Sequence, residues 1–466
     1  MVGYLLTIFS GLILLYTVNN LYLIWSSRKY IEKKRKHLRS FPKVSLQLPI
    51  FNEKEVISRL IDSAIKLDWP KDSLEILILD DSSDETSRII DKKIDHHHNI
   101  RVIRRKTRDG YKAGALHMGL FETDAKYIAI LDADFLPEKT FLKQVVPVLE
   151  DDDRIGFVQT RWGHINREFN GMTKAISIAL DWHHHIEQAG RDASNLFINF
   201  NGSCGVFRRK AIIESGGWKT DTLSEDLDIR YRIQMNRWKG VYLRDVVVPG
   251  EIPPIIEDYR IQQSRWAKGS IQCSRNLLSK VLRGHYGVKQ KIQSLLHLNG
   301  YSVYLWTMLL MLLSVPVLLL GQKTQALNSM GVIGSIGVLS QLAVFGVLLE
   351  KTRKPVLRFA EEYLFLFITS IGLSIECSIS VIRGLLTRGG EFLSTPKYNI
   401  REKKSWKPRT QTSHSSLIPE FLFVVYSCIG IIIALSRGNF GMLLYFSLHT
   451  MGFLSVILLS IKPDLF

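Results

Sequence analysis

Long runs without a single Asp, Glu, Lys or Arg constrain this chain more than any other feature. Residues 1–27, 292–322 and 324–349 hold none, and 363–382 holds only Glu376. Two more apolar stretches, 421–436 and 438–461, follow a basic segment. A helix of about 20 apolar residues spans the hydrocarbon core of a bilayer, so these runs predict a polytopic membrane protein.

The charges between the runs set an orientation. Residues 28–39 carry seven basic residues and one acidic, a net of +6; residues 383–409 carry eight and two, again +6. Together they supply 12 of the formal net charge of +17. Lys and Arg are retained on the cytoplasmic side of a span, and both blocks abut apolar runs. With no recognition motif beside it, the charge reads as membrane flank, not as a nucleic-acid surface.

Arg28 and Lys29 follow the first apolar run, whereas a cleavable signal would carry its charge before it. The expectation is an N-terminal transmembrane helix over 1–27, N-terminus outside, then a basic cytosolic linker over 28–42. If every later run crossed, the basic loop 383–415 would lie outside. One segment between 324 and 382 is therefore expected to be re-entrant or interfacial. Glu376 should face protein or a polar channel, because a carboxylate facing lipid is costly. The remaining parts are transmembrane or interfacial helices over 291–382 and two C-terminal spans within 416–466.

Residues 43–290 read differently. The runs 43–51, 74–81, 100–105 and 127–134 are short, apolar and rich in β-branched residues, and helical patterns such as 56–67 and 113–123 separate them. Alternating strands and helices predict an α/β domain with a mostly parallel sheet. Ligands of such sheets bind beyond the carboxyl ends of the strands, where Asp80-Asp81 and Asp132/Asp134 fall. The four cysteines, with no CxxC spacing, make neither a zinc set nor a disulfide framework.

Several clusters carry chemistry. Asp132-Ala133-Asp134 suits a hard divalent cation that in turn holds a diphosphate; alone, such a pair is also a common loop accident. Asp80-Asp81 could meet a ribose or base edge, or cap a helix over "DDSSDET". The run 104–116 is basic, then glycine-containing, with Lys112 the candidate for a phosphate and a solvated loop the alternative. Ser224-Glu225-Asp226 is either an ordinary helix start or the seat of a general base at Asp226. Gln262, Arg265 and Trp266, at i, i+3 and i+4, share one helix face offering an amide, a cation and a flat aromatic. Of the triplets His96–His98 and His183–His185, both read as structural, with His184 or His185 able to line a polar groove.

In order, these residues resemble the processive, inverting branch of the family 2 glycosyltransferases, the cellulose synthases and cellulose synthase-like mannan or glucan synthases. The family pattern D, DxD, (T/S)ED, QxxRW is matched by Asp81, Asp132/Asp134, Ser224-Glu225-Asp226 and Gln262/Arg265/Trp266. "LPIFNE" (48–53), "YKAGAL" (111–116), "VQTRW" (158–162) and "FNGSCGVFR" (200–208) agree, and "FLSTPKY" (392–398) is similar to the family's gating loop. The resemblance spans roughly residues 42–400. It implies a GT-A, Rossmann-like cytosolic domain flanked by membrane helices, transferring sugar from UDP-glucose or GDP-mannose to a growing polysaccharide. A single sugar placed on a membrane lipid is the rival.

By the same resemblance, the Glu225-Asp226 pair is catalytic, with Asp226 the base. Asp132 and Asp134 hold Mg or Mn, and Asp80, Asp81 and Lys112 meet the nucleotide. Arg265 offsets the leaving diphosphate, Gln262 and Trp266 bind the acceptor, and Phe392, Thr395 and Lys397 close over the nucleotide. Ser224 and Ser394 depart from the family's usual residues. The expected location is a plasma or inner membrane, or the Golgi in a eukaryote.

Overall fold

The computed structural model describes residues 2–95, 97–320, 325–400 and 417–463. His96 and the part of the basic block beyond Ile400 lie outside the described residues.

Seven strands form one sheet: β1 (Val44–Ile50), β2 (Leu74–Asp80), β3 (Ile100–Arg104), β4 (Tyr127–Ile130), β5 (Ile155–His164), β6 (Gly205–Arg208) and β7 (Lys239–Gly250), in the order β3-β2-β1-β4-β6-β5-β7. β1 pairs in parallel with both β2 and β4, and β5 with β7; only β6 runs antiparallel to its neighbours. Strands β1, β2 and β4 are buried almost throughout, which is why they read as near-continuous apolar runs, not as alternating ones. The one amide in β1, Gln47, is fully buried and donates from Nε2 to the Gly119 carbonyl at 2.7 Å.

Connections leave β1 toward β2 on one side and β4 on the other. That reversal opens a crevice at the strands' carboxyl ends, where Asp81, Asp132 and Asp134 follow β2 and β4. α2 (Tyr111–Phe121) brings Lys112 there, while α1 (Val2–Ser27) and α3 (Gly171–Trp182) line the same cavity farther on. α4 (Glu225–Met235) and the 28-residue α5 (Ile256–Arg283) complete the rim.

Among the described residues, five helices are long and apolar enough to cross a membrane. They are α1, α7 (Ser302–Leu319), the apolar part of α8 (Gln325–Thr352), α11 (Ile418–Ser436) and α12 (Phe440–Ile461), with α6 (Val288–Leu298) lying between α5 and α7. α9 (Val356–Gly372) and α10 (Ser374–Leu386) form a pair bent by 47°. Both ends of that pair touch the α/β domain: Arg358 Nη2 lies 2.7 Å from Glu168 Oε2, and Arg275 Nη1 donates to the Gly384 carbonyl at 3.0 Å. Glu376 faces protein, 3.5 Å from Arg260 of α5, which also pairs with Glu420 of α11 at 2.8 Å.

Candidate active site

A cavity of about 1410 Å³ opens beyond β1, β2 and β4 and continues between the apolar helices as far as Tyr445 and His449 of α12. Asp81, Lys112, Asp132, Asp134, Glu225 and Asp226 line its α/β end, with Gln262, Arg265 and Trp266 from α5 and Phe392, Thr395 and Lys397 from the loop after α10. Contacts spanning more than 100 residues of sequence thus bring together every expected site residue except Asp80.

Asp80 is absent from the cavity wall, contrary to its expected place beside a nucleotide. Its carboxylate accepts from Ser87 Oγ at 2.6 Å, Arg104 Nε at 2.9 Å and the Ser82 amide at 3.0 Å. Burial pushes this carboxyl upward, yet those hydrogen bonds together hold it below the usual carboxylate range. The reason is strand alternation: neighbouring residues at a strand end point to opposite faces, and only Asp81 turns toward the crevice. Asp81 is forked by Arg105, whose Nε lies 2.9 Å from Oδ1 while Nη2 contacts Oδ2. Arg104 and Arg105 of the basic run are therefore tied up internally, while Arg108 and Lys112 of the same run line the cavity. Gly110, at φ +68°, turns the chain into α2, and a Cβ at Gly114 would lie 2.1 Å from the Asp109 carbonyl.

Lys112 Nζ donates to Asp132 Oδ1 at 2.6 Å and to the Gly202 carbonyl at 2.9 Å, and lies 3.8 Å from Glu225 Oε1. Burial alone would lower its pKa; the Asp132 and Glu225 carboxylates outweigh it and raise it. Asp134 Oδ2 accepts from the Glu251 amide at 3.1 Å, and its Oδ1 lies 3.1 Å from Lys397 Nζ. Asp226 stands in the first turn of α4. Gly202, at φ +82°, a conformation that favours glycine, lies beside both: a Cβ there would meet Asp226 Oδ2 and Lys112 Nζ at 3.4 Å. Ser224 holds the N-cap position of α4 but makes no side-chain cap. Burial, only partly offset by Lys112 and reinforced by Asp226, pushes the neighbouring Glu225 carboxyl up to about 7.

Above this floor, the Arg265 guanidinium lies 4.4 Å from the centroid of Phe392 and donates to the Leu393 carbonyl at 3.1 Å. Phe392 in turn stacks on Tyr111, centroids 6.1 Å apart. Thr395 is buried, its hydroxyl without a hydrogen-bond partner.

Glu53, His183 and Glu187 are among the wall residues that the sequence reading did not single out. Glu53, from "LPIFNE", lines the cavity, and burial first, then the nearby Asp134 and Asp132, lift its carboxyl to about 8 against the pull of Lys397. His183, not His184 or His185, reaches the cavity. Residues His183–Gln188 form a π-helical turn, and the extra residue per turn rotates the face that ordinary helical spacing would present. Glu187, one turn on, accepts from His183 Nδ1 at 2.7 Å and from Arg191 Nε at 3.1 Å. A π-turn cannot be read from residue types, although "HHHIEQ" did mark the place.

Residues 45–216 match the family described as Glycosyl transferase family 2. The chain is 39% identical over 252 residues to glucomannan 4-beta-mannosyltransferase 1 of Oryza sativa subsp. japonica, covering 52% of this chain and 48% of that protein. It is also 39% identical over 256 residues to glucomannan 4-beta-mannosyltransferase 2 of Arabidopsis thaliana, covering 52% and 47%. The chain thus spans about half the length of these curated relatives. Among solved structures, the mannosyltransferase PcManGT from Pyrobaculum calidifontis, in complex with GDP-Man and Mn2+, superposes with a TM-score of 0.55 at 18% identity, covering 81% of this chain and 99% of that one. Residues 45–216 thus match the family 2 glycosyltransferases, on a sheet of GT-A fold set among apolar helices, in a chain similar over about half its length to glucomannan 4-beta-mannosyltransferases.

Proposed function

We propose that this chain is a membrane-embedded, inverting β-glycosyltransferase that extends a polysaccharide, with GDP-mannose as the favoured donor and UDP-glucose the competitor. The observation that carries the reading is one continuous cavity. It joins Asp226, the Asp132/Asp134 pair and Trp266, then runs on between the apolar helices. Buried polar atoms without partners, Ser10 Oγ, Tyr445 Oη and His449 Nε2, belong to residues of its membrane part. Such groups suit a hydroxyl-rich chain. The names of the curated relatives favour mannose over glucose.

In the proposed reaction Asp226 accepts the proton of an acceptor hydroxyl while that oxygen bonds to the donor's anomeric carbon. The bond from that carbon to the diphosphate breaks in the same displacement, so an α-linked donor yields a β-linked product. Trp266 offers a flat face to the acceptor sugar and Gln262 an amide. Arg265 and Lys112 offset the charge that gathers on the departing diphosphate. Asp81 meets the nucleoside, and Phe392, Thr395 and Lys397 cover it.

Asp132 and Asp134 would hold a divalent cation, Mg or Mn. They fit one: Asp134 lines the cavity, and its Oδ1 is a buried carboxylate oxygen that accepts no hydrogen bond and is met by the Lys397 ammonium at 3.1 Å. Bound there, the cation would neutralise diphosphate oxygens. The cytosolic side is the proposed place of the domain.

The test is protein in lipid offered radiolabelled GDP-mannose and UDP-glucose, with Asp226→Asn as control. Label in an insoluble fraction digestible by a β-mannanase, absent from the variant, is the expected result. Label confined to solvent-extractable lipid would replace the polymer with the glycolipid reading.

A further inference from the structure

The loop bearing Phe392–Tyr398 is anchored to the very carboxylate that a divalent cation would need. Asp134 has two oxygens. Oδ2 is taken by the Glu251 amide at 3.1 Å, while Oδ1 faces Lys397 Nζ at 3.1 Å. Asp134 is buried and Lys397 partly so, with side chains 2% and 16% exposed.

Just beyond Lys397 the chain is clamped. The Tyr398 amide donates to Glu251 Oε1 at 2.7 Å, and Tyr398 Oη donates to Asp258 Oδ2 at 2.8 Å. Arg59 bridges the next residue, its Nη1 2.9 Å from Asn399 Oδ1 and its Nη2 2.8 Å from Glu251 Oε2. Glu251 and Arg59 have side chains only 1% and 6% exposed. Glu251 is thus the joint: its backbone fixes one oxygen of Asp134, and its carboxylate fixes the loop.

A lysine ammonium and a divalent cation compete for one carboxylate oxygen, since two positive charges about 3–4 Å apart in a buried site repel strongly. We propose that Lys397 is the exchangeable counterion of Asp134. Its ammonium holds the oxygen while no divalent cation is present. An arriving cation displaces it, and segment Phe392–Lys397 moves while Tyr398 and Asn399 stay clamped. The freed ammonium then faces the donor's diphosphate. This deepens the reading above and rests on its carboxylate pair.

The experiment is Mn2+ binding to the full-length protein in lipid nanodiscs, without any donor, followed by the electron paramagnetic resonance of free Mn2+. Lys397→Met should bind Mn2+ about tenfold more tightly than the parent, a middling coupling between two sites. Lys397→Arg keeps the competing charge and should bind Mn2+ as weakly as the parent. Asp134→Asn should abolish binding in both backgrounds, with melting curves confirming that each variant is folded. Equal or weaker binding by Lys397→Met, with Asp134→Asn still abolishing it, would overturn the exchange and leave the proposed function standing. Binding indifferent to Asp134→Asn, or absent from every form, would overturn both the exchange and the carboxylate pair as cation site. Loss of polymer in Asp226→Asn is independent of either outcome.

Discussion

Arg260 lies five residues before Arg265 on α5, wedged between two carboxylates from helices of the membrane part. It is 2.8 Å from Glu420 and 3.5 Å from Glu376, and the side chains of Arg260 and Glu420 are 6% and 2% exposed. Arg260→Met keeps much of the side chain's apolar volume and strands Glu420 without its cation. Breaking a buried ion pair from one side costs about 3–5 kcal/mol. Glu420 stands in the first turn of α11, where the helix dipole returns up to about 1 kcal/mol, so about 3 kcal/mol is expected. At about 2–4 °C per kcal/mol for a chain of some size, the melting temperature should fall by about 6–12 °C. The assay is thermal unfolding in one detergent at a fixed scan rate. Arg260→Met/Glu420→Gln removes the stranded charge and should recover most of the loss. A double variant that melts as low as the single one would refute the reasoning, because the cost would then lie in packing and not in the uncompensated carboxylate.

Glu225 supplies a pH test. Its folded pKa, pushed up to about 7 mainly by burial, exceeds the ordinary glutamate value of 4.5. A raised folded pKa contributes stability that is full below about 4.5 and lost as pH rises through about 7. Glu225→Gln should flatten the fall of melting temperature with pH over that window; a constant offset from the parent between pH 5 and 8 would count against it. Asp80→Asn should lower stability by about 2 kcal/mol, typical of hydrogen bonds to a buried charge, while calorimetric affinity for GDP stays within twofold of the parent. Loss of nucleotide affinity at full stability would restore Asp80 to the donor site.

The parallel core of the sheet was legible because strands buried on both faces must be apolar throughout. β1 and β2 begin and end within a residue of the runs that announce them, while β4 stops at Ile130, half-way along its run 127–134. β5, β6 and β7 carry more mixed sequences and were not separable from the helices around them; the antiparallel β6 follows from pairing, which residue types do not encode. The face of α5 was readable from i, i+3 and i+4 spacing, and all three of its side chains line the cavity. Asp81 and Asp80 were inseparable as neighbours until the strand end set one toward the crevice and the other toward Ser87 and Arg104.

By itself the sequence determined which segments could enter a membrane, where the α/β domain lies, and which residue types stand at the strand ends. Periodicity and composition express those choices locally, because burial on a strand or in lipid acts residue by residue. Only the tertiary structure decided that Lys397 meets Asp134, that Glu251 joins the loop to that carboxylate, and that Arg260 ties α5 to Glu420. It also decided that the π-turn brings His183 to the cavity in place of its neighbours. Those contacts join residues far apart in the chain, or hinge on one extra residue in a turn. Their energies depend on burial and on which oxygen is already taken, and neither is a property of residue type or spacing.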